Sequence, residues 1–406
     1  MDIGSWKMIE YDMDILRNLK KSILIVIVSL FFPFSVSAFS YYSIATQNFD
    51  TSLSDSTNAI FTNPTKIYIT QVTTDSDVLL RDSSKWVKSL YYYCITRLHF
   101  SDLPYTYLLD ENGIIYQGNK NGIGANPELK NVDNAVIIGY LSNNTDLTNR
   151  ATDSLNQIVE EISYNWGIQE LSTVKLYINQ EEGKLSTIST ELSTSEFSNS
   201  VKEALAEWKG YGEEHLEYKA KIEEAVFGEE LEIGERLKVN VKFKNMNDFI
   251  WFTDRDPIYI STKGGVESDF AINQDWKSFS KPVSISEKNI LPGESVELEF
   301  ELEARVLLGE ATESFEILKF EGKPFVESAF DVKFAITRGD KQLVEVASPK
   351  YDFVNIRECR WYSCKVLDSA DDGTVFILEG EEEGWSRIRF GVNLYGWVNS
   401  GYLKKI

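Results

Sequence analysis

The spacing of apolar residues along the chain changes from helical to strand-like. Between residues 150 and 170, five apolar side chains follow helical spacing, namely Leu155, Ile158, Val159, Ile162 and Trp166. This spacing predicts an amphipathic helix that Thr152 or Asp153 caps and Gly167 ends. The runs "KIYITQV" and "TVKLYI" on either side predict strands. Strands that alternate with helices indicate a mixed α/β unit over residues 65–212.

Within this unit, the stretch "FSDLPYTYLLDENGIIYQG" holds two short apolar runs around the turn "DENG". Apolar runs joined by Asp, Asn and Gly are typical of a β-hairpin. Further along, residues 185–200 are rich in Ser and Thr and predict a loop. The stretch that follows, up to about residue 225, predicts a helix interrupted near Gly210 and Gly212.

Further along the chain, apolar residues recur at every second position. In "LKVNVKFK" and "SVELEFELE", apolar residues alternate with Lys, Asn and Glu. Strict alternation predicts strands with one buried face, as in a β-sandwich. We therefore expect a helical linker and a sandwich over residues 213–346. After a short linker, residues 351–406 form another small β unit.

The N-terminus carries a localisation signal. A basic flank, Arg17 to Lys21, precedes the apolar run Ile23 to Phe34 and the small residues Ser35 to Ala38. This order predicts a secretory signal peptide over residues 1–38, because twelve apolar residues are short for a membrane span. The alternative is an uncleaved membrane anchor. Residues 39–64 are polar and predict a tether. On either interpretation, the remainder lies outside the cytoplasm, secreted or anchored to the membrane and associated with the cell envelope.

The formal charge of −22 disfavours polyanionic partners. We therefore expect no nucleic-acid partner, and membrane contact only through the N-terminal segment. Cys359 and Cys364 are five residues apart and can form a disulfide outside the cytoplasm. Their spacing also suits half of a metal site, but no second Cys or His pair completes one. Cys94 is expected to be a buried apolar residue.

Four segments in residues 66–186 resemble, in order, the peptidoglycan recognition protein fold, which zinc N-acetylmuramoyl-L-alanine amidases of the bacteriophage lysozyme type share. These segments are "KIYITQVTT", "FSDLPYTYLLDENGIIYQG", "GIGANPEL" and "NAVIIGYLSN". The resemblance implies cleavage of the amide between muramic acid and the stem peptide. That reaction uses a zinc ion with three protein ligands and an activated water.

The positions at which the family holds zinc carry other residues here. The resemblance places the first ligand at Thr70, or at Gln71 if the register slips by one. It places the second near Asn179 or Gln180, and the third near Ser186. Neutral hydroxyls and amides bind zinc poorly. The chain has two histidines, His99 and His215, in different predicted units. We therefore expect vacated metal positions and no cofactor, with zinc only if the metal site lies elsewhere.

Two other positions match the family's groove, and a third departs from it. Tyr105 stands where catalytic members have a tyrosine beside the zinc water, and Lys184 lies near the place of an assisting lysine. Both are vestigial catalytic candidates and candidate ligand contacts, although Tyr105 packing internally and Lys184 lying in solvent are equally simple interpretations. Asn126 stands where many members have a substrate-side histidine and is expected to bond a ligand.

The C-terminal 56 residues resemble the bacterial Src homology 3-like barrel over their full length. The matching marks are Asn355, Ile356, Arg357, Gly373, Trp385, Gly396, Trp397 and Tyr402. The resemblance implies binding of cell-wall peptides or other extracellular partners. Candidate contacts are Trp361 and Tyr362 inside the cysteine loop, together with Trp385 and Trp397. The middle unit resembles an immunoglobulin-like domain and is assigned no chemistry.

The sequence thus predicts a multidomain protein with an α/β amidase-like domain, an all-β immunoglobulin-like sandwich and a small C-terminal Src homology 3-like β-barrel. The expected function is binding of peptidoglycan or cell-wall peptides outside the cytoplasm by a catalytically degenerate amidase fold. Two alternatives remain open. One is a divergent zinc amidase active in cell-wall turnover, and the other is a surface adhesion or scaffold protein that binds other proteins.

Overall fold

The computed structural model describes residues 52–54, 60–129, 131–179, 184–189, 194–254, 256–273, 275–319, 322–391 and 394–406. For residues 175–179 and 184–189 it describes the backbone alone. The predicted signal peptide and most of the predicted tether lie outside the described residues. Among the residues described, no helix is both long enough and apolar enough to cross a membrane.

The N-terminal unit is built on one six-stranded mixed sheet. Its elements are β1 (Lys66–Thr74), α1 (Asp77–Leu80), α2 (Ser83–Arg97), β2 (Tyr107–Asp110), β3 (Ile115–Gln117), β4 (Ala135–Leu141), α3 (Asn149–Trp166), β5 (Glu170–Asn179), β6 (Lys184–Ser189) and α4 (Ser195–Ala204). The strand order is β3-β2-β4-β1-β5-β6, and the central strand β1 runs parallel to β4 and β5. The predicted hairpin is confirmed, because β2 and β3 pair antiparallel across the predicted turn.

Each face of this sheet has its own core. On one face, Tyr68 and Val72 of β1 pack with the buried side of α2, and on the other, Ile67 and Ile69 pack with α3 and α4. The predicted amphipathic helix is confirmed as α3, with Gly167 at its C-terminus in the left-handed region (φ 65°). Its predicted N-cap is wrong, because the side chain of Thr148 accepts the capping hydrogen bond from the Ala151 backbone at 3.1 Å.

Two other element predictions in this part of the chain are wrong. The predicted loop or surface crossing over residues 185–200 is wrong for most of its described residues, since residues 185–189 belong to β6 and residues 195–200 to α4, which buries Phe197 and Val201. The predicted helix up to about residue 225 ends at Ala204, and a strand begins at Ala220. The predicted tether also differs at its end, where the Ile60 carbonyl accepts from the Asn126 backbone and the Thr62 backbone donates to Gly124, both at 2.8 Å.

The middle unit packs a five-stranded sheet against a three-stranded sheet, as the period-two pattern predicts. Its strands are β7 (Ala220–Phe227), β8 (Glu230–Glu232), β9 (Arg236–Asn245), β10 (Ile258–Thr262), β11 (Val283–Ile285), β12 (Ser295–Glu303), β13 (Gly309–Lys319) and β14 (Phe330–Thr337). β9 and β12 pair so that their apolar residues face one shared core, with Val241 opposite Leu298 and Val239 opposite Phe300.

The C-terminal unit is a seven-stranded sheet that begins earlier than predicted. Its strands are β15 (Leu343–Val346), β16 (Phe353–Arg357), β17 (Val366–Asp371), β18 (Val375–Glu382), β19 (Trp385–Gly391), β20 (Leu394–Asn399) and β21 (Leu403–Lys405). The sequence placed residues 343–346 in the sandwich, but β15 pairs with β18 and β21. The short apolar run of residues 343–346 is compatible with a strand in the middle unit or in the C-terminal unit, and only the pairing partners of the strand show to which sheet it belongs.

The three units share packed interfaces. Trp166 of the N-terminal unit lies against Phe249 and Phe252 of the middle unit, with ring centroids 5.9 and 5.8 Å apart. Leu343 and Ile377 of the C-terminal unit belong to the core of the middle unit. The units therefore contact one another through buried side chains.

Candidate functional site

Two regions of the molecule bear on function: the central strand of the N-terminal sheet and a pocket on the C-terminal unit. In the first region, Thr70 lies in β1 between Gly139 of β4 and Val174 of β5. Its side chain is buried, and its hydroxyl has no hydrogen-bond partner among the residues described. Gly139 leaves room for the neighbouring aromatic ring, because a Cβ there would lie 3.0 Å from Cδ1 of Tyr105.

The sheet register separates Thr70 from the other predicted metal positions. Asn179 follows Val174 by five residues, which is about 16 Å along a strand. Asn179 pairs with Lys184 of β6, and Ser186 lies in β6 beside the same end of β5. Along the sheet, Thr70 therefore lies well away from the end of β5 that holds Asn179, and the β1 residue closest to that end is Thr74, which pairs with Ile178.

Gln71, the other position considered for the first ligand, has a structural partner. Its amide nitrogen donates to the carbonyls of Ser142 and Asn144 at 3.1 and 3.0 Å. These bonds fasten β1 to the segment that follows β4. Gln180, the other position considered for the second ligand, lies outside the described residues, and the side chains of Asn179, Lys184 and Ser186 do too.

Tyr105 is enclosed by the core and does not face a groove. Its side chain is 0% exposed, and its hydroxyl has no hydrogen-bond partner among the residues described. Trp86, Tyr91 and Cys94 of α2 belong to the same core. Burial raises the pKa of the Tyr105 hydroxyl well above its ordinary value, and the neighbouring Cys94 raises it further. The prediction that Tyr105 contacts a ligand does not fit this burial.

Cys94 is buried, as expected, and burial raises the pKa of its thiol. Such a thiol is not a nucleophile, because the reactive form is the thiolate. Asn126 is half buried, and its side-chain oxygen accepts a hydrogen bond from the Glu128 backbone at 3.2 Å. This local bond gives Asn126 a structural role at a turn.

The residues in this unit do not fit the zinc site that the family resemblance implies. His99 is exposed at the end of α2, while the ring of His215 stacks on Tyr164 at 4.2 Å near the middle unit. Among the described residues, no three His, Cys, Asp or Glu side chains come together in a way that holds a metal ion. The Thr70 position offers a lone buried hydroxyl, which is a poor zinc ligand.

The C-terminal unit carries an open pocket of about 250 Å³. Its walls are mainly aromatic, and the lining residues are Tyr351, Phe353, Val354, Asn355, Arg357, Tyr362, Trp385, Val398, Asn399 and Tyr402. The Tyr362 and Trp385 rings meet edge to face, 5.1 Å apart. Tyr362 is 65% exposed and Trp385 is buried, so Trp385 forms the floor and Tyr362 a wall.

A disulfide loop positions Tyr362. Cys359 and Cys364 are bonded, with Cα atoms 5.7 Å apart, and the sequence prediction of this pair agrees with the structure. Backbone bonds from Trp361 to Cys359 and from Cys364 to Trp361 fold the loop into tight turns. The guanidinium of Arg357 donates to the Cys364 carbonyl at 2.9 Å and fastens the loop to β16.

The other two predicted aromatic contacts lie outside the pocket lining. Trp361 is 67% exposed and stands beside Tyr362 in the loop without lining the pocket. Trp397 lies under the guanidinium of Arg360, 5.5 Å from its ring centroid, and Arg360 pairs with Glu382. Sequence reasoning missed Tyr351 and Phe353 as pocket residues. The signal in the sequence that could have identified them is the presence of two aromatic residues around the start of a strand.

A larger cleft of about 740 Å³ lies between the N-terminal and middle units. Its central cation, Lys319, is bonded to both carboxylate oxygens of Glu214, at 3.1 and 3.0 Å, and to the hydroxyl of Tyr218, at 2.9 Å. These charged groups satisfy one another, which suits a role in joining the two units.

No family model matches the chain, and no curated protein matches its sequence. Several solved structures resemble parts of it. N-acetylmuramoyl-L-alanine amidase LysC from Clostridium intestinale is 16% identical, with 41% of this chain and 97% of that chain covered and a TM-score of 0.27. Drosophila peptidoglycan recognition protein SD is 19% identical, with 39% and 88% covered and a TM-score of 0.25.

A CARDB domain of PF1109 from Pyrococcus furiosus is 8% identical, with 30% of this chain and 99% of that chain covered and a TM-score of 0.22. TM-scores of 0.22 to 0.27 are too low to establish a shared fold or function. The residues of the chain itself must therefore carry any functional conclusion.

Proposed function

We propose that the protein binds cell-wall peptides of peptidoglycan outside the cytoplasm, and that it does so without hydrolysing them. One observation carries this proposal. The accessible aromatic pocket lies on the C-terminal unit, whereas Tyr105, the landmark of the amidase-like groove, is buried in a core. Binding therefore belongs to the pocket, and the N-terminal unit serves as a scaffold for it.

The pocket has the composition of a recognition site. Tyr and Trp bring large, rigid contact surfaces with polar tips, and such residues dominate binding energy at protein interfaces. Asn355 and Asn399 add amide groups that donate and accept hydrogen bonds to a peptide backbone. The resemblance of this unit to cell-wall binding modules supports peptidoglycan as the source of the peptide.

An extracytoplasmic location fits two features. The apolar run Ile23 to Phe34 behind a basic flank has the pattern of a secretion signal. The Cys359–Cys364 disulfide persists in oxidising compartments and is rare in the cytosol. Anchoring to the membrane is proposed only through this N-terminal segment.

Sedimentation with purified sacculi tests the proposal, and the disulfide loop offers a matched pair of variants. Tyr362 and Trp361 are neighbours with nearly equal exposure, but only Tyr362 lines the pocket. We expect the full-length protein to pellet with sacculi and Tyr362→Ser to weaken binding about tenfold, equivalent to about 1.4 kcal/mol. Trp361→Ser should bind as the parent does. Equal binding by both variants, or no pelleting of the parent, would overturn the proposal.

A further inference from the structure

We infer that the pocket recognises the end of a peptide chain by its free carboxylate, and that Arg357 is the residue that pairs with it. This inference rests on the proposed function, since it names the part of the wall peptide that enters the pocket. It concerns the chemical class of the ligand: a short peptide with small side chains and an unblocked C-terminus.

The charge of the residues that line the pocket indicates that the ligand carries an anionic group. Among the ten lining residues that the structure describes, Arg357 alone carries a formal charge, and none is acidic. At the rim, the ammonium of Lys350 lies 5.2 Å from the ring centroid of Tyr351. The chain as a whole is strongly acidic, with a formal charge of −22. Among the described residues Arg357 has no ion-pair partner, and a cation of this kind in an aromatic pocket favours a negative ligand group.

The chemistry of the guanidinium narrows this group to a carboxylate. Arg357 has five N–H donors in a planar fork, and one of them is engaged by the Cys364 carbonyl among the described residues. The fork matches the two oxygens of a carboxylate, with which arginine forms paired hydrogen bonds. Because Arg357 ends β16 and is fastened to the disulfide loop, its guanidinium is held in place before the ligand arrives.

The size of the pocket limits what accompanies the carboxylate. Its volume of about 250 Å³ is smaller than the range of about 300–1,000 Å³ typical of small-molecule sites. A chain end of one or two small residues suits this space better than a saccharide. Methyl groups of such residues would pack against the faces of Tyr362 and Trp385, while Asn355 and Asn399 bond the backbone.

A cationic ligand is the main competing chemistry, since aromatic rings attract ammonium groups. The guanidinium of Arg357 opposes it, because like charges inside one small pocket repel. The same pocket therefore discriminates between the two ends of a peptide, and it favours the carboxylate end.

Calorimetric titration of the full-length protein compares N-acetyl-alanyl-alanine with a free carboxylate and the same dipeptide as its C-terminal amide. We expect the acid to bind at least about tenfold more tightly than the amide. In Arg357→Gln the preference should vanish, while Arg357→Lys should keep part of it. Arg387→Gln is the control and should keep the preference, because Arg387 is exposed on β19 of the same unit, lies over the ring of Tyr395 and is not among the pocket-lining residues.

Equal affinity of the parent for acid and amide, tighter binding of the amide, or no binding of either peptide would overturn the inference. The parent comparison needs no variant, so a misfolded Arg357→Gln leaves the test intact. The two proposals fail separately. If the protein pellets with sacculi in a Tyr362-dependent way but binds the acid and the amide equally, only the carboxylate inference is contradicted. If the protein prefers the acid but does not pellet with sacculi, only the wall-binding proposal is contradicted.

Discussion

Two tyrosines show how a single residue's surroundings decide its role. Tyr105 and Tyr362 both stand in segments that resemble wall-binding or wall-cleaving families. Tyr105 is fully enclosed beneath α2, whereas Tyr362 is exposed on a disulfide loop and forms the wall of a pocket. The same side chain is thus a core residue in one unit and a pocket-lining residue in the other.

Replacing Tyr105 with Phe should leave sacculus binding unchanged and keep or raise stability. A buried hydroxyl without a partner costs desolvation energy, so its removal is expected to raise the free energy of unfolding by up to about 1 kcal/mol. Denaturant unfolding and sedimentation measure the two effects. A loss of binding in Tyr105→Phe with intact stability would place Tyr105 at a ligand site.

The pH dependence of stability gives a second readout of the same residue. The pKa of Tyr105 is raised in the folded state, so near pH 10 and above the unfolded chain loses this proton while the folded protein keeps it. Stability from Tyr105 is therefore fully present below pH 10, the ordinary tyrosine pKa, and falls as pH rises beyond it. Tyr105→Phe should show a shallower alkaline loss than the parent in denaturant unfolding at pH 9 to 11. An identical slope would contradict the enclosed position.

At the scale of the element, the disulfide loop is the part of the C-terminal unit on which we expect the proposed binding to depend most. The bond between Cys359 and Cys364 holds Tyr362 over Trp385, and Arg357 and Arg360 fasten the loop to neighbouring strands. Closing so short a loop contributes roughly 2 kcal/mol by the loop-entropy relation.

Reduction by a dithiol should lower affinity for the acid dipeptide and for sacculi, because Tyr362 is then no longer fixed. The bond accepts two electrons and two protons and yields two free thiols, and reoxidation should restore binding. Calorimetry before and after reduction measures the change, and a double variant, Cys359→Ser with Cys364→Ser, should match the reduced form. Undiminished affinity after full reduction would show that the loop has no part in binding. Buried Cys94 serves as an internal reference that alkylating reagents do not reach in the folded protein.

The sequence predicts elements whose burial follows a regular period. The helix α3 and the strands β9 and β12 show this, because each presents one apolar face to a core. The helix α4 escaped prediction because it buries only a few side chains, and its serines, which follow a stretch rich in Ser and Thr, are typical of a loop. β7 was mistaken for a helix because Glu, Lys and Ala favour helices, while its pairing with β9 overrides that preference.

The pocket could be predicted only in part, because its lining residues are far apart in the sequence. Local sequence indicated the Cys359–Cys364 bond and the aromatic character of its loop. It did not distinguish Tyr362 from Trp361, because the direction of each side chain depends on how the loop lies on β19 and β20. The burial of Tyr105 depends on its packing with α2 in one core, and the residues next to Tyr105 in the sequence do not reveal this contact.

At the scale of the whole molecule, the units are joined by shared cores and by ion pairs between their described residues. Arg389 of the C-terminal unit pairs with Glu303 of the middle unit at 3.1 Å, and the Glu303 side chain is 4% exposed. Removing one partner of a buried pair leaves an uncompensated charge and costs about 3–5 kcal/mol. The ion pair and the shared core therefore stabilise the contact between the C-terminal unit, which carries the pocket, and the middle unit.

Arg389→Ala should lower the melting temperature of the middle and C-terminal units and separate their unfolding into two transitions. The parent should unfold these two units together, because Leu343 and Ile377 lie in the middle core. Scanning calorimetry makes the comparison. Lys238→Ala is the control, since it breaks the exposed pair with Glu299 and should change stability by about 0–1 kcal/mol. If Arg389→Ala and Lys238→Ala change the melting temperature equally, the Arg389–Glu303 pair does not act as a buried connection between the units.

The central claim is that the protein holds wall material without cutting it, and one incubation measures both properties. Full-length protein is mixed with dye-labelled peptidoglycan in the presence of added zinc, and the pellet and the released dye are quantified together. The account predicts that protein accumulates in the pellet while dye release stays at the level of buffer alone. Dye release that rises with protein concentration and stops on addition of a chelator would contradict it.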